Sequence, residues 1–184
     1  MDNRPSWDDY YIDMLTAVSK RASCDRGKAS AIIVMDKRQV SSGYVGAPSG
    51  MPSCDEIGHD IWVVRKSREV SWPEQIVALT PDMDILKSGK IQKAELSTHC
   101  LRTIHAELNA ILNAAYYGVS CKGATMYCTM VPCYPCAMAI VQSGIVKVLA
   151  KYKYKEQPKT LEMFEKLGIP LTVINNETDP YKFV

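Results

Sequence analysis

The second half of the chain alternates between apolar segments of helical length and apolar segments of strand length. The predicted segments are helix 104–117, strand 124–130, helix 136–143, strand 145–150, helix 160–167 and strand 171–174. Strands that are separated by single helices pair in parallel, because each crossover returns the chain to the same edge of the sheet. The pattern therefore predicts an α/β fold in which helices cover a sheet that is parallel in this half.

The first half begins with a helix and a hairpin. Ser6 and Asp9 form a start of the capping-box type, and apolar residues recur at helical spacing, which predicts a helix over 6–22. Two short runs, 29–35 and 39–43, flank a charged turn and are typical of the strands of a β-hairpin.

The segment between the hairpin and the second half is harder to interpret. Closely spaced Gly and Pro residues in 46–58 indicate a loop. Pro73 and Pro81 interrupt the apolar residues of 59–98, for which we predict an insertion with short helices. We therefore treat 1–184 as one domain that carries an insertion at about 59–98.

The composition fits a globular protein that binds a small anion rather than a polymer. Hydrophobic residues make up 47% of the chain and charged residues 23%, while the formal net charge is only +2. A nucleic-acid-binding domain more often carries a strong basic excess, so the charge favours a nucleotide ligand and no nucleic acid. The N-terminus resembles no signal peptide, and no apolar run has the roughly 18 residues of a membrane span. We expect a cytoplasmic protein without a membrane partner.

Two short segments hold residues that are typical of catalytic zinc sites. The first contains His105 and Glu107, and the second contains Cys133 and Cys136. A catalytic zinc has three protein ligands and one open position, which one imidazole and two thiolates supply. The two cysteines are three residues apart, on one side of a helical turn. Pro135 suits the first position of that helix, where the helix dipole favours thiolates.

Glu107 follows His105 by two residues, so the two side chains converge only in the first turn of the helix 104–117. The order His-x-Glu followed by Pro-Cys-x-x-Cys matches the signature of zinc-dependent nucleobase deaminases, whose Glu is not a ligand. We assign Glu107 the transfer of a proton from the zinc water to a ring nitrogen and then to the leaving ammonia. A closed structural zinc is the alternative, but such a site usually has four protein ligands.

The other cysteines include a second candidate metal group. The chain has seven cysteines, and an odd number favours metal ligands or free thiols over disulfides. Four residues, three of them in predicted loops, would form a second, structural zinc site. They are Cys24, Cys54, His99 and Cys100. Adjacent ligands are geometrically awkward, so the fourth ligand stays open; Cys121 and Cys128 are predicted to be ordinary thiols and His59 a solvated loop residue.

Taken in order, these segments resemble the deoxycytidylate (dCMP) deaminases of the cytidine deaminase superfamily. The resemblance covers the chain apart from the insertion, which varies among members. It is carried by residues 7–11 (Trp-Asp-Asp-Tyr-Tyr), Cys24, 31–34, 42–50, Cys54, 99–111 and 132–145.

The resemblance implies a cytidine-deaminase-like three-layer α/β/α sandwich with a mixed five-stranded sheet. It also implies a catalytic Zn²⁺ in each subunit, commonly a second structural Zn²⁺, and a homo-hexamer. The reaction would convert dCMP and water to dUMP and ammonia and so supply thymidylate synthesis. Many members are activated by dCTP and inhibited by dTTP, and Mg²⁺ would accompany such a triphosphate effector.

Two positions depart from the pattern of that family. Val45 stands where the family has the Asn of a Gly-Tyr-Asn-Gly segment, so an apolar side chain replaces an amide that could bond sugar or phosphate. Loss of such a polar partner costs about 1–3 kcal/mol. Tyr116 stands near the end of the catalytic helix, where a basic residue is frequent. Both departures concern nucleotide binding and regulation, and Val45 motivates a 5-modified cytosine nucleotide as an alternative substrate.

Several residues are candidates for contact with the substrate. They are Ala106, Arg26, Lys28, Tyr44, Val45 and Tyr152. Arg26 or Lys28 is expected to hold the phosphate, and the backbone N–H of Ala106 to hold the base carbonyl. Tyr152 lies near the carboxyl end of a predicted strand, the edge at which open α/β sheets bind ligands, and is expected to cover the base or sugar.

Two competing functions share parts of this pattern. A deaminase of tRNA or another polynucleotide has the same zinc signature but needs a broader basic face. A non-enzymatic, zinc-stabilised assembly subunit would keep the fold and the ligands. The presence of Glu107 argues against the second alternative, because a purely structural site has no use for that acid.

Overall fold

The described chain consists of helices and strands that alternate one by one only in its second half. The computed structural model describes residues 3–65, 78–79, 96–154 and 157–178, and at 61–65, 78–79 and 96–99 it describes the backbone alone. The elements are α1 Trp7–Ser19, β1 Ser30–Met35, β2 Arg38–Tyr44, α2 Cys54–Ile57, β3 Ile61–Arg65, β4 Ala78–Leu79, β5 Leu96–Cys100, α3 Ala106–Tyr116, β6 Thr125–Met130, α4 Tyr134–Gln142, β7 Lys147–Lys153, α5 Pro158–Lys166 and β8 Leu171–Thr178.

Five of the strands form the central sheet in the order β2-β1-β6-β7-β8. Strand β1 is antiparallel to both β2 and β6, whereas β6, β7 and β8 are parallel to one another. The parallel half follows from the crossover helices α4 and α5, as the alternation of segments predicted. The mixed five-stranded sheet confirms the expected α/β fold class.

Helices cover both faces of this sheet. Helix α1 packs on one face through residues such as Leu15, against Ile32 of β1 and Leu149 of β7. The helices α3, α4 and α5 lie on the other face, where Ile140 and Phe164 belong to the larger core cluster. Successive residues of β1 point to opposite faces, and its apolar residues are buried on both, as expected for a central strand.

Helix α1 begins where the sequence predicted. Ser6 is its N-cap, and the side-chain oxygen accepts a hydrogen bond of 3.1 Å from the backbone N–H of Asp9. The Ser6 hydroxyl also donates to the Asp9 carboxylate over 2.6 Å. The helix ends at Ser19, earlier than the predicted 22, because the backbone turns through residues 20–21.

Helix α3 lies unusually close to β2, and this contact positions its N-terminus. A Cβ atom at Gly43 would lie only 2.5 Å from the carbonyl oxygen of Ala106, so the backbones approach at a distance that only glycine permits. The Asn109 amide donates to the Tyr44 carbonyl over 2.8 Å, and the Ser41 hydroxyl donates to the Ala110 carbonyl over 2.7 Å. The first turns of α3 are therefore fixed on the sheet.

The described part of the insertion forms strands, so the prediction of short helices at 59–98 is wrong there. Strand β3 pairs antiparallel with both β4 and β5 in a separate three-stranded sheet. These strands have no clear apolar period in the sequence, because proline and charged residues interrupt the apolar runs. The rest of the predicted insertion, 66–77 and 80–95, lies outside the described residues.

None of the helices in the described residues is long and apolar enough to span a lipid bilayer.

The contact between Gly43 and α3 predicts the effect of adding one methyl group. We expect Gly43→Ala to lower the free energy of unfolding by about 1–3 kcal/mol, because backbone atoms of α3 must move to relieve the overlap. Urea unfolding followed by circular dichroism measures the change. The matched control is Ser42→Ala on the opposite face of β2, and equal stability of the two variants would contradict the prediction.

Candidate active site

Two helices meet through their N-caps at the centre of the site. His105 is the N-cap of α3, and Cys133 is the N-cap of α4. Both residues have extended backbone angles, which aim the side chain across the helix end. Helix α4 begins one residue after Cys133, earlier than predicted, and Pro135 occupies the second helical position rather than the first.

Neighbouring segments hold both N-caps in place. Ile104 precedes His105 and forms a bridge with Gly46, with N···O distances of 2.9 and 3.3 Å. On the other side, the backbone N–H of Val131 donates to the Tyr152 carbonyl over 3.1 Å. The hydroxyl of Thr160, which is fully buried, donates to the Pro132 carbonyl over 3.2 Å. The sheet and α5 thus fix the chain just before Cys133.

The side chains of His105, Cys133 and Cys136 converge as the sequence predicted. The Nδ1 atom of His105 lies 3.3 Å from the Cys133 sulfur and 3.5 Å from the Cys136 sulfur. Tetrahedral zinc with Zn–S bonds of about 2.3 Å and Zn–N bonds of about 2.0 Å separates its sulfur and nitrogen ligands by about 3.5 Å. The three ligand atoms all lie within 4.8 Å of one another, so the group fits a three-ligand zinc site.

The electrostatics of this group favour a thiolate at Cys133 and a thiol at Cys136. Hydrogen bonds from Cys136 and His105 lower the pKa of the Cys133 thiol. The hydrogen bond with Cys133 raises the pKa of His105 to about 9, against the effect of burial. The N-terminus of α4 contributes a partial positive charge beside both sulfurs. The hydrogen bond with Cys133 and burial raise the pKa of the Cys136 thiol, so metal ligation by that sulfur would release a proton.

Glu107 lies beside the three ligand residues and is almost fully buried, with 8% of its surface exposed. Burial raises the pKa of its carboxyl group, and the charge of His105 is the largest opposing effect. A carboxyl group with a raised pKa both accepts and returns a proton near neutral pH. Glu107 lines one cleft together with the ligand residues His105 and Cys133.

A cleft of about 700 Å³, including its open mouth, leads to these residues. Its walls combine apolar side chains with a few polar groups, as in sites for small organic ligands. The lining residues are Cys24, Arg26, Gly27, Ala29, Val45, Cys100, Thr103, His105, Ala106, Glu107, Met130, Val131, Cys133 and Tyr154. The only arginine among them is Arg26.

Three of the six predicted substrate contacts line the cleft: Arg26, Val45 and Ala106. Lys28 is exposed, and neither Tyr44 nor Tyr152 is among the lining residues. Strand β7 continues to Lys153, so the aromatic residue that emerges beside the cleft is Tyr154, which we did not select from the sequence. The alternation of Lys and Tyr in 151–155 was the available signal, but it did not fix where the strand ends.

A second group of metal-binding side chains borders the same cleft. It consists of Cys24, Cys54, His59 and Cys100, whose ligand atoms all lie within 4.8 Å of one another. The sulfurs of Cys54 and Cys100 are 3.6 Å apart. The Nδ1 atom of His59 is 3.8 Å from the Cys24 sulfur and 3.9 Å from the Cys100 sulfur. These distances fit tetrahedral zinc with four protein ligands.

His59 is an exposed loop residue, as predicted, but its ring also belongs to this group, a role that the sequence analysis did not assign to it. Gly58 adopts a φ of 79° at the end of α2, and this turn returns the chain so that His59 faces the cysteines. The opposite ring nitrogen, Nε2, lies 2.8 Å from the Asp25 carboxylate. His99, which we predicted as a ligand, lies in β5, and its backbone pairs with that of Trp62 in β3. Its side chain lies outside the described part of the structure.

Burial raises the pKa of the Cys24 thiol, and burial together with the neighbouring thiols raises that of Cys54 to about 12. The thiols of Cys24 and Cys54 therefore resist ionisation, so metal binding at this group would release protons. Cys121 and Cys128 are buried in the core.

Comparison with known proteins places the chain in a family. The model of the cytidine and deoxycytidylate deaminase zinc-binding region matches residues 5–151. The deoxycytidylate deaminase of Enterobacteria phage T2 is 38% identical over 159 residues, which cover 83% of this chain and 84% of that protein. That of Mycobacterium phage D29 is 33% identical over 147 residues, which cover 80% and 95%.

The fold is shared with a solved structure. The dCMP deaminase of cyanophage S-TIM5, in complex with dCMP and dUMP, superposes with a TM-score of 0.64 at 22% identity. The superposition covers 92% of this chain and 98% of that one. With the ligand group, the cleft and the family match together, the chain belongs to the zinc-binding cytidine and deoxycytidylate deaminases, a family of hydrolases.

Proposed function

We propose that this protein hydrolyses dCMP to dUMP and ammonia. One observation carries the proposal: the buried carboxyl group of Glu107 lies beside His105, Cys133 and Cys136, in a cleft that Arg26 also lines. The family match and the names of the two phage relatives support the choice of a deoxycytidylate as substrate.

The roles of the residues follow from the chemistry of the reaction. A zinc ion held by His105, Cys133 and Cys136 supplies Lewis acidity that lowers the pKa of a water molecule towards ~7. Glu107 accepts the proton of the attacking water, whose oxygen bonds to C4 of the cytosine ring. Glu107 returns that proton to N3, takes the second proton from the new C4 hydroxyl and delivers it to the amino group, so that the C4–N bond breaks, ammonia leaves and C4 becomes a carbonyl. The backbone N–H of Ala106 donates to the base carbonyl.

Arg26 holds the substrate phosphate in this proposal. Its place in the cleft lining favours it over Lys28, which is exposed and is not among the lining residues. A guanidinium group also binds phosphate oxygens through two parallel hydrogen bonds. For the ring that covers the base or sugar we propose Tyr154, which lines the cleft, in place of Tyr152.

The second group is proposed to hold a structural zinc. Three thiolates and an imidazole close the coordination sphere, which is the usual composition of a structural site. The contact of His59 with Asp25 supports this role, since ligating histidines usually donate their other N–H to a carboxylate. Such an ion would tie α2 and the end of β5 to the loop that follows α1.

Assembly and regulation are proposed from the family resemblance. A homo-hexamer would cover apolar side chains that are exposed on α3, namely Leu112 at 47%, Tyr116 at 83% and Tyr117 at 72%. Activation by dCTP with Mg²⁺, inhibition by dTTP, a cytoplasmic location and a role in supplying dUMP for thymidylate synthesis complete this proposal.

A 5-modified cytosine nucleotide is the second candidate substrate, and Val45 favours it. The side chain of Val45 lines the cleft and packs with Cys24 and Cys54, so no amide is offered to the ligand there. An apolar wall tolerates an added substituent at lower cost than a wall whose polar groups need partners.

The role of Glu107 predicts a large and selective loss of activity. We expect Glu107→Gln to lower kcat for dCMP by about 10²–10⁴-fold, because proton transfer is lost while the zinc ligands remain. Loss of cytosine absorbance measures turnover, with and without dCTP and Mg²⁺, and metal analysis verifies the zinc content. The control is Glu165→Gln on the exposed surface of α5.

Either outcome is informative. Full activity of the Glu107→Gln variant would remove the proposed mechanism. No turnover of dCMP by the zinc-loaded parent protein would transfer the assignment to a 5-modified cytosine nucleotide.

The composition of the second group predicts its metal content. We expect His59→Ala to reduce bound zinc from about two ions to about one per chain and to lower the Tm, because a four-ligand site loses one donor. Plasma emission spectroscopy and calorimetry measure the two effects. His99→Ala is the control, and loss of zinc from that variant instead would restore His99 as the ligand.

A further inference from the structure

The second metal group and the cleft share a short loop, residues 24–27. Cys24 and Arg26 both line the cleft, and they are separated by a single residue, Asp25. Cys24 belongs to the metal group, and Arg26 is the only arginine that lines the cleft among the residues that the structure describes. Asp25 therefore lies in the chain between a member of the metal group and the arginine of the cleft. A contact that fixes Asp25 restrains the backbone on both sides of it.

Two contacts connect this loop to the metal group. The carboxylate of Asp25 lies 2.8 Å from Nε2 of His59, whose Nδ1 faces the sulfurs. On the other side, the backbone N–H of Arg26 donates a hydrogen bond to the sulfur of Cys24. The backbone of Arg26 is thus tied to one ligand, and the residue before it is tied to another.

The turn that carries His59 is also held in place. The side chain of Arg102 donates to the Gly58 carbonyl over 3.0 Å and so supports the turn that carries His59. In contrast, 73% of the side chain of Asp25 is exposed, so burial does not fix its position. An isolated surface ion pair of this kind contributes little to stability. A contact to a ligating histidine, however, orients the ring and the ligand bond.

We propose that Asp25 is a positioning residue through which the second metal group fixes Arg26 for binding of the substrate phosphate. This inference rests on the proposed function, in which Arg26 binds that phosphate. Asp25 touches neither substrate nor metal; it acts on the metal group through His59 and on the cleft through the loop. Zinc binding at the second metal group then determines the affinity for the phosphorylated ligand and does not affect the rate of the chemical step.

The test compares two ligands that differ only in the phosphate. Calorimetric titration of the zinc-loaded full chain gives Kd for dUMP and for deoxyuridine. We expect Asp25→Asn to raise the Kd of dUMP about 5- to 10-fold, as a charge-assisted contact is partly lost, and to leave that of deoxyuridine unchanged. Zinc transfer to a chromogenic chelator should show one ion bound about 10- to 100-fold more weakly.

Three further variants separate positioning from a general effect. Asp25→Glu keeps the carboxylate and should restore most of the affinity for dUMP. Asp55→Asn removes an exposed carboxylate beside Cys54 and should change neither the Kd of dUMP nor zinc transfer. In an Arg26→Ala background, Asp25→Asn should have no further effect on dUMP, because the contact through which it acts is gone.

The proposal is overturned if Asp25→Asn leaves the Kd of dUMP unchanged, or weakens dUMP and deoxyuridine equally. An additive effect with Arg26→Ala also overturns it, as does failure of the parent protein to bind dUMP. Failure of the proposed function is seen separately, since turnover of dCMP is not a readout of these titrations. A parent protein that binds dUMP but does not deaminate dCMP leaves the comparison intact.

Discussion

The meeting of two helix N-termini, each with a potential metal ligand at its N-cap position, is the constraint on which the rest of the structure depends. His105 and Cys133 are 28 residues apart, yet their side chains must approach within 3.3 Å. Helix α3, with 11 residues, carries the chain about 16 Å away, and strand β6, with 6 residues, returns it over about 20 Å. One helix and one strand therefore carry the chain away from this pair of side chains and back to it.

The central sheet determines where helix α3 begins. The close approach at Gly43 and the hydrogen bond from the Asn109 amide fix the helix on β2, and the bridge between Ile104 and Gly46 fixes the residue before His105. The loop 46–54, which leaves this bridge, leads to Cys54 and the second metal group. Both metal groups are thus connected to the same edge of the sheet, and the cleft lies between them.

Residue spacing was enough to predict the catalytic group, because the identities of His105, Glu107, Cys133 and Cys136 restrict where each side chain can lie. The parallel half of the sheet followed from the alternation of helices and strands for a similar reason. The second group was predicted in part. Its three cysteines were found by composition, but His59 was missed because its contact depends on a left-handed turn at Gly58 that spacing does not reveal. Tyr154 was missed because the end of β7 depends on pairing with neighbouring strands.

The position of the two donor sets along the chain has a consequence for biosynthesis. All four side chains of the second group precede residue 101, whereas the catalytic group is incomplete until Cys136 has been made. A ribosome releases the chain from its N-terminus, so the four-donor set emerges first and the three-donor set last. Metal acquisition by a nascent chain can therefore follow a fixed order, in which the loop that carries Arg26 is organised before the reactive centre exists.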